Sequence, residues 1–392
     1  MNPSSQGWVS KYGITLANQH YFNSHGELYN YLRTLGFIYG VNVSFPTQIV
    51  ASHTFSPDEM AKTNLLFALH QTFLIEKGKT SFSDFLQTAN QFYTALEIQS
   101  VKDTFSENEK KIALQLEKNI ARRVHLDTNI LTKNFSNLLI NALLYVDILL
   151  FVKFLKKNNK NLLKTASKIE KSLLHIVSQT LQMKTEKSAY DRNLIALFTA
   201  SASRWKDDGS LKIPDTALLR HKFNRCTLRY FVDMSALAAW NNQKIEPAEK
   251  DYIQKITSQF GLPENTATQA IAFLIDFFQT HQKKIYISKS SNYVQNFYEN
   301  TTQFVYRLVI RNKKRIVDEL IQNKELVVLL TKSATEELSA DEKQKVRKQL
   351  VDLCKVIPSL AIFILPGGSL LLPIFIKLIP GILPASFDDN RT

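Results

Sequence analysis

Residues 356–384 read VIPSLAIFILPGGSLLLPIFIKLIPGILP, and how this stretch is understood decides how the rest of the chain is read. Val356 to Ile376 carries no charge. As a helix it would rise about 31 Å, close to the thickness of a bilayer's hydrocarbon core. Pro358, Pro366 and Pro373 would each remove a helical hydrogen bond, and Pro366-Gly367-Gly368 is a turn signal, so the segment is expected to be kinked or broken near Pro366. A broken pass leaves backbone groups that lipid cannot satisfy, unless another helix, a second copy of the chain or trapped water covers them. Self-association is therefore expected. The alternative, a tail wrapped on the protein's own core, is disfavoured by its five prolines.

The same stretch holds 8 of the chain's 22 glycines and prolines, leaving 14 for the other 363 residues. Long uninterrupted helices follow, and the predicted fold class is all-α: a multi-helix N-terminal region followed by a C-terminal membrane segment broken by proline and glycine. Helix starts can be placed by mechanism, because a serine cap accepts from the amide three residues on while a glutamate there reaches back. Ser56-Pro57-Asp58-Glu59 opens one helix that Gly78 closes. Ser106-Glu107-Asn108-Glu109 opens a second, running to about Val124, and Ser339-Ala340-Asp341-Glu342 opens a third that leads into residue 356. Asn134 to Leu155 has apolar residues at helical spacing, but Asn141, Asp147 and Lys153 interrupt it, which makes it a buried core helix and not a span.

Lysine and arginine number 49 against 35 acids, a net charge of +14, which points to an anionic partner: a phospholipid membrane or nucleic acid. The basic surface is expected at Lys156, Lys157, Lys160 and Lys164, after the core helix, and at Lys343, Lys345, Arg347 and Lys348, ahead of the apolar segment. Only Arg391 follows that segment, beside Asp388 and Asp389, so the positive-inside rule puts the bulk of the chain in the cytoplasm. Residues 1–13 hold one charge, Lys11, and no long apolar run, so no signal or transit peptide is expected and a bacterial inner-membrane protein is. Two distant cysteines, Cys226 and Cys354, allow no disulfide framework or CxxC site.

No enzymatic motif stands out. The eight histidines have no metal-ligand spacing, and Gly78-Lys79-Thr80 lacks the glycine a phosphate loop needs, with Phe73 in its place. No catalytic residue, metal site or cofactor is expected. The chain divides on this reading into a helical region at 1–190, a small domain at 191–285, juxtamembrane helices at 286–355, the membrane segment at 356–384 and a tail at 385–392.

In the small domain, Ser203-Arg204-Trp205-Lys206-Asp207-Asp208-Gly209 is echoed by Ala238-Ala239-Trp240-Asn241-Asn242-Gln243, and Glu246-Pro247-Ala248-Glu249 opens a helix carrying Ile253, Ile256 and Phe260 before Gly261. This pattern resembles the TerB-like helical domain. In that family acidic Asp-Gly turns suit cations, but the second copy here has Asn242-Gln243, so the domain is read as an interaction module.

The C-terminal residues resemble the LETM family, the leucine-zipper and EF-hand-containing transmembrane proteins. The series that carries the resemblance is Leu371-Leu372-Pro373, Lys377-Leu378, Pro380, Leu383-Pro384 and Phe387, approached through Glu337-Leu338-Ser339 and Val356-Ile357-Pro358. The membrane signature is thus Pro358, Pro366, Gly367, Gly368, Leu372, Pro373, Lys377, Pro380, Leu383, Pro384 and Phe387. The overall arrangement is similar to bacterial LETM-related biofilm-associated proteins. The resemblance implies a membrane scaffold with an unidentified cytoplasmic protein partner, or a component of a cation/proton homeostasis system. A proton-coupled carrier needs ionisable groups at membrane depth, and Lys377 is the only one between Lys355 and Asp388. Ribosome binding, assigned in the family to a helical domain after the span, ranks third, because Thr392 follows Phe387 by five residues. No EF-hand loop occurs.

Overall fold

The computed structural model describes residues 1–17, 19–78, 80–96, 108–124, 135–156, 162–187, 191–192, 195, 219–240, 244–282, 316, 322, 324–336, 338–342, 344–346 and 348–349. Helices account for all the regular structure among them; no strand is present among the described residues. The chain separates into two compact units, one formed by residues 1–186 and 214–289, the other by 187–213 and 290–392.

The first unit is built around α3 (Pro57–Lys77). Its entry is the expected one: Ser56 Oγ accepts from the Glu59 amide at 3.2 Å, the Glu59 carboxylate accepts from Ser56 N at 2.8 Å, and Gly78 ends the helix at φ +73. From Thr63 to Leu74 every residue is buried, so neighbours surround this helix on all sides instead of along one stripe. Those neighbours are α2 (His25–Thr34), α4 (Phe82–Ala95), α5 (Glu109–Val124) and α7 (Leu144–Leu155). Ser24 caps α2 and Ser81 caps α4, the latter with a reciprocal Asp84. The aromatic filling is dense, with Phe73 against Phe85 and Phe92 against Phe151 at 5.7 and 5.0 Å between ring centroids. α1 (Trp8–Leu16) lacks a side-chain cap of its own. The Glu117 carboxylate supplies one from α5, accepting from Gly7 N at 3.0 Å and Val9 N at 2.9 Å, where the positive end of the helix dipole favours an anion.

The apolar stretch up to Leu155 is buried core as expected, but it divides into α6 (Phe135–Ala142) and α7 with a turn at Leu143. The break falls where another backbone segment comes close. Gly40, at φ +70, lies so close that a Cβ there would meet Leu138 O at 2.2 Å and Ala142 N at 2.7 Å. The freed Ala142 carbonyl accepts from the Tyr230 hydroxyl at 3.0 Å, and Asn141 Nδ2 donates to Gly40 O at 3.3 Å.

α8 (Leu162–Gln182), α9 (Arg225–Ala239), α10 (Pro247–Gln259) and α11 (Asn265–Thr280) complete the unit. The Glu246/Glu249 box opens α10, Ile253, Ile256 and Phe260 are buried, and Gly261 ends it at φ +66. These helices do not close a core of their own: α9 packs on α8, α11 and α2, and the unit that holds them also holds residues 1–186. The reason is a buried charge. Asp233 of α9 is almost fully enclosed and takes the Arg33 guanidinium at 3.0 Å, the Tyr39 hydroxyl at 3.1 Å and the Tyr29 hydroxyl. A carboxylate in that setting needs its donors, and all three come from the N-terminal region.

Of the second unit, the described part is chiefly α12 (Lys324–Thr335) and the start of the helix that follows it.

Candidate functional site

The chain's approach to the apolar segment is a helical hairpin. Leu338 is buried at the turn after α12, and Ser339 then opens the next helix as expected, its Oγ accepting from Glu342 N at 3.2 Å while Glu342 accepts from Ser339 N at 2.9 Å. Cross-pairs set the register. Lys332 Nζ meets Glu342 Oε1 at 2.8 Å, and Glu325 takes Lys345 Nζ at 3.3 Å and Gln349 Nε2 at 3.0 Å, so the two helices run antiparallel. Leu326, Val327, Leu329, Leu338 and Val346 are buried in this hairpin region. The Lys332 bond and the Ser339 amide hold the Glu342 carboxyl down to about 2. Exposed pairs of this kind add little stability; their contribution is alignment. Gln349, the last described residue, precedes Val356 by seven positions.

Of the expected basic surface, Lys345 and Lys348 are exposed on the hairpin and Lys164 is exposed on α8. Lys156 caps α7 and is 60% exposed, with its Nζ 3.3 Å from Glu76 Oε1. Lys157, Lys160, Lys343 and Arg347 lie outside the described residues, as does every residue of the membrane signature from Pro358 to Phe387. Among the described residues, no helix is long and apolar enough to cross a membrane. No group of three or more histidines, cysteines or acids there is placed to hold a metal ion. The first Trp turn, at 203–211, is outside the described residues; the second ends α9, with Trp240 as its C-cap.

Two buried ion pairs escaped the sequence reading. Arg33 is held three ways: Nη2 forms an ion pair with Asp233 at 3.0 Å, Nε donates to the Tyr39 hydroxyl at 3.2 Å, and the guanidinium face lies over Phe273 at 4.1 Å. Burial alone would lower its pKa, but Asp233 and the two tyrosines more than offset this and raise it. Burial, reinforced by the Asp233 charge, pushes the Tyr29 and Tyr39 hydroxyls well above their usual range. Arg123 grips the fully buried Asp147 in bidentate fashion, with Nε to Oδ2 at 2.7 Å, and ties α5 to α7. Partners this far apart, 200 residues in the case of Arg33 and Asp233, leave no local signal. Both pairs hold helices together, with each carboxylate almost fully buried and Arg123 part-exposed.

The described residues therefore define an all-helical protein whose second unit holds a helical hairpin ahead of a proline-rich apolar sequence. Residues 338–392 match the family model described as LETM1-like, RBD. The match starts at Leu338 in the hairpin turn and takes in the Ser339 box and the whole apolar segment, so the C-terminal part of this chain is LETM1-like. No curated protein and no solved structure matches the chain.

Proposed function

We propose that this chain is a membrane-anchored, LETM1-like scaffold, held at a bacterial inner membrane by residues 356–384 and presenting its helical first unit to cytoplasmic protein partners. A biofilm-associated setting belongs to the same proposal. The observation that carries it is the LETM1-like match over 338–392 falling on a charge-free run of bilayer-spanning length. Lysines on the hairpin ahead of that run and acids after it support the orientation. Alkaline extraction tests the reading. The full chain stays with the membrane pellet, a truncation ending at Lys355 is released, and release of the full chain would contradict the anchor.

The matched model's description, RBD, supports a second reading in which this segment contacts ribosomes. Lys345 and Lys348 are exposed there for a phosphate backbone to meet. Co-sedimentation of ribosomes with the detergent-solubilised chain, lost in Lys345→Glu/Lys348→Glu, would support this second reading, whereas ribosomes absent from the wild-type pellet would exclude it.

A further inference from the structure

Between Leu219 and Tyr230 the chain carries Arg220, His221, Lys222, Arg225 and Arg229 and no acid. The first three form the turn ahead of α9 and Arg225 opens the helix; all four are exposed. Cations at that end oppose the helix dipole, and no acid sits in the first turn to balance them. Local stability therefore does not account for their placement.

The charge continues onto neighbouring elements. Arg229 lies half-buried over the Tyr29 ring, 5.1 Å from its centroid. Burial pushes the half-exposed Cys226 thiol up, and the charges of Arg229, Lys156 and Arg225 pull it back, so the thiol lies within the field of cations from both α7 and α9. One turn before Lys156, Lys153 is lowered by burial and then by Lys168, an exposed residue of α8. Two acids lie near: Glu76, taken up by Lys156 at 3.3 Å and His25 at 2.7 Å, and half-buried Glu170 of α8, whose charge reaches Tyr230.

We infer that this face, formed by the exposed Arg220, Lys222 and Arg225, docks on the anionic headgroups of a phospholipid bilayer. Two observations favour lipid over nucleic acid. The one aromatic ring in the basic turn, Phe223, is half-buried edge-on against Phe231 at 5.3 Å, so it is not a fully exposed platform on which unpaired bases stack. The chain's own apolar segment would also keep lipid phosphate at high effective concentration. For its choice of partner the inference rests on the anchored reading above. Each cation near an anionic surface contributes roughly fivefold in association, so removing three weakens docking by about 100-fold.

The test uses the full chain with Cys354→Ser, leaving Cys226 as the only thiol, mixed with vesicles of phosphatidylcholine alone or with phosphatidylglycerol. Flotation with neutral vesicles reports the anchor; the rate of Cys226 modification by a water-soluble maleimide reports the face. Phosphatidylglycerol should slow modification several-fold, and the protection should vanish at about 1 M salt, where screening acts within about 3 Å. Arg220→Ala/Lys222→Ala/Arg225→Ala should lose it, whereas Arg220→Lys/Lys222→Arg/Arg225→Lys should keep it. Equal rates in both lipids, with the protein floating in both, would overturn the inference and leave the anchor standing. Protection on anionic vesicles without flotation on neutral ones would retain the face and reject the anchor. Protection by added RNA but not by phosphatidylglycerol would assign the face to nucleic acid and overturn the inference.

Discussion

Asp233→Asn strikes the joint between the N-terminal helices and α9. The carboxylate is about 1% exposed, and Arg33, its partner at 3.0 Å, is about 5% exposed. Replacing the carboxylate with an amide keeps the volume but leaves an enclosed guanidinium with no compensating charge, only neutral neighbours such as the Phe273 ring and the Tyr39 oxygen. Breaking a buried pair from one side costs about 3–5 kcal/mol, because the surviving charge is left without compensation. For a unit of this size each kcal/mol moves the melting temperature by about 2–4 °C, so a fall of about 6–20 °C is expected by far-UV circular dichroism. Tyr29→Phe removes one donor and should cost about 1 kcal/mol. The double variant Arg33→Met/Asp233→Leu removes both charges and should recover most of the loss. If Asp233→Asn costs under about 1 kcal/mol, the level of an ordinary substitution, the joint is not held by this pair.

Burial lowers the pKa of His70 to about 4, below the value of about 6.5 for an exposed imidazole. The unfolded chain then binds more protons between those values, so the contribution is complete above pH 6.5 and lost as pH falls toward 4, by up to about 3 kcal/mol. Urea unfolding across that window should show the slope, with His175, also lowered by burial, adding in the same sense, and His70→Gln should flatten it. Gly40→Ala should cost more than about 3 kcal/mol, since the new methyl group meets Leu138 O and Ala142 N at a positive φ. Gly261→Ala, with open space around it, should cost about 1 kcal/mol for φ alone. Lys377→Arg should match wild type in insertion and in growth under salt or pH stress if the ammonium only snorkels to the headgroups. Lost stress tolerance with insertion unchanged would instead make Lys377 a titrating group.

Local chemistry was the legible part. Ser56, Ser339 and Glu246 each marked a helix start, and Gly78 and Gly261 each marked an end, because capping is settled within a few residues. The burial of Leu144 to Leu155 was legible from its spacing. The division at Leu143 was not: it falls where Gly40, about 100 residues earlier, comes close, and that approach is recognisable only once the two backbones are in contact. The same holds for the tie between α9 and the N-terminal helices: Asp233 takes Arg33, Tyr29 and Tyr39, and no periodicity in α9 reports a partner in α2. At the candidate site the Ser339 helix and the LETM1-like ending were readable as motifs. The Arg220–Arg225 run was equally visible in the sequence, but the field that Lys156 adds at Cys226 from α7 was not.

The central claim, that residues 356–384 enter a bilayer, is tested most directly by depth. With Cys226→Ser and Cys354→Ser, a single cysteine placed by Phe363→Cys carries an environment-sensitive fluorophore, and the protein is reconstituted into vesicles. The account predicts blue-shifted emission quenched by nitroxides borne on the lipid acyl chains and insensitive to aqueous iodide. Emission quenched by iodide and untouched by the lipid nitroxides would contradict it.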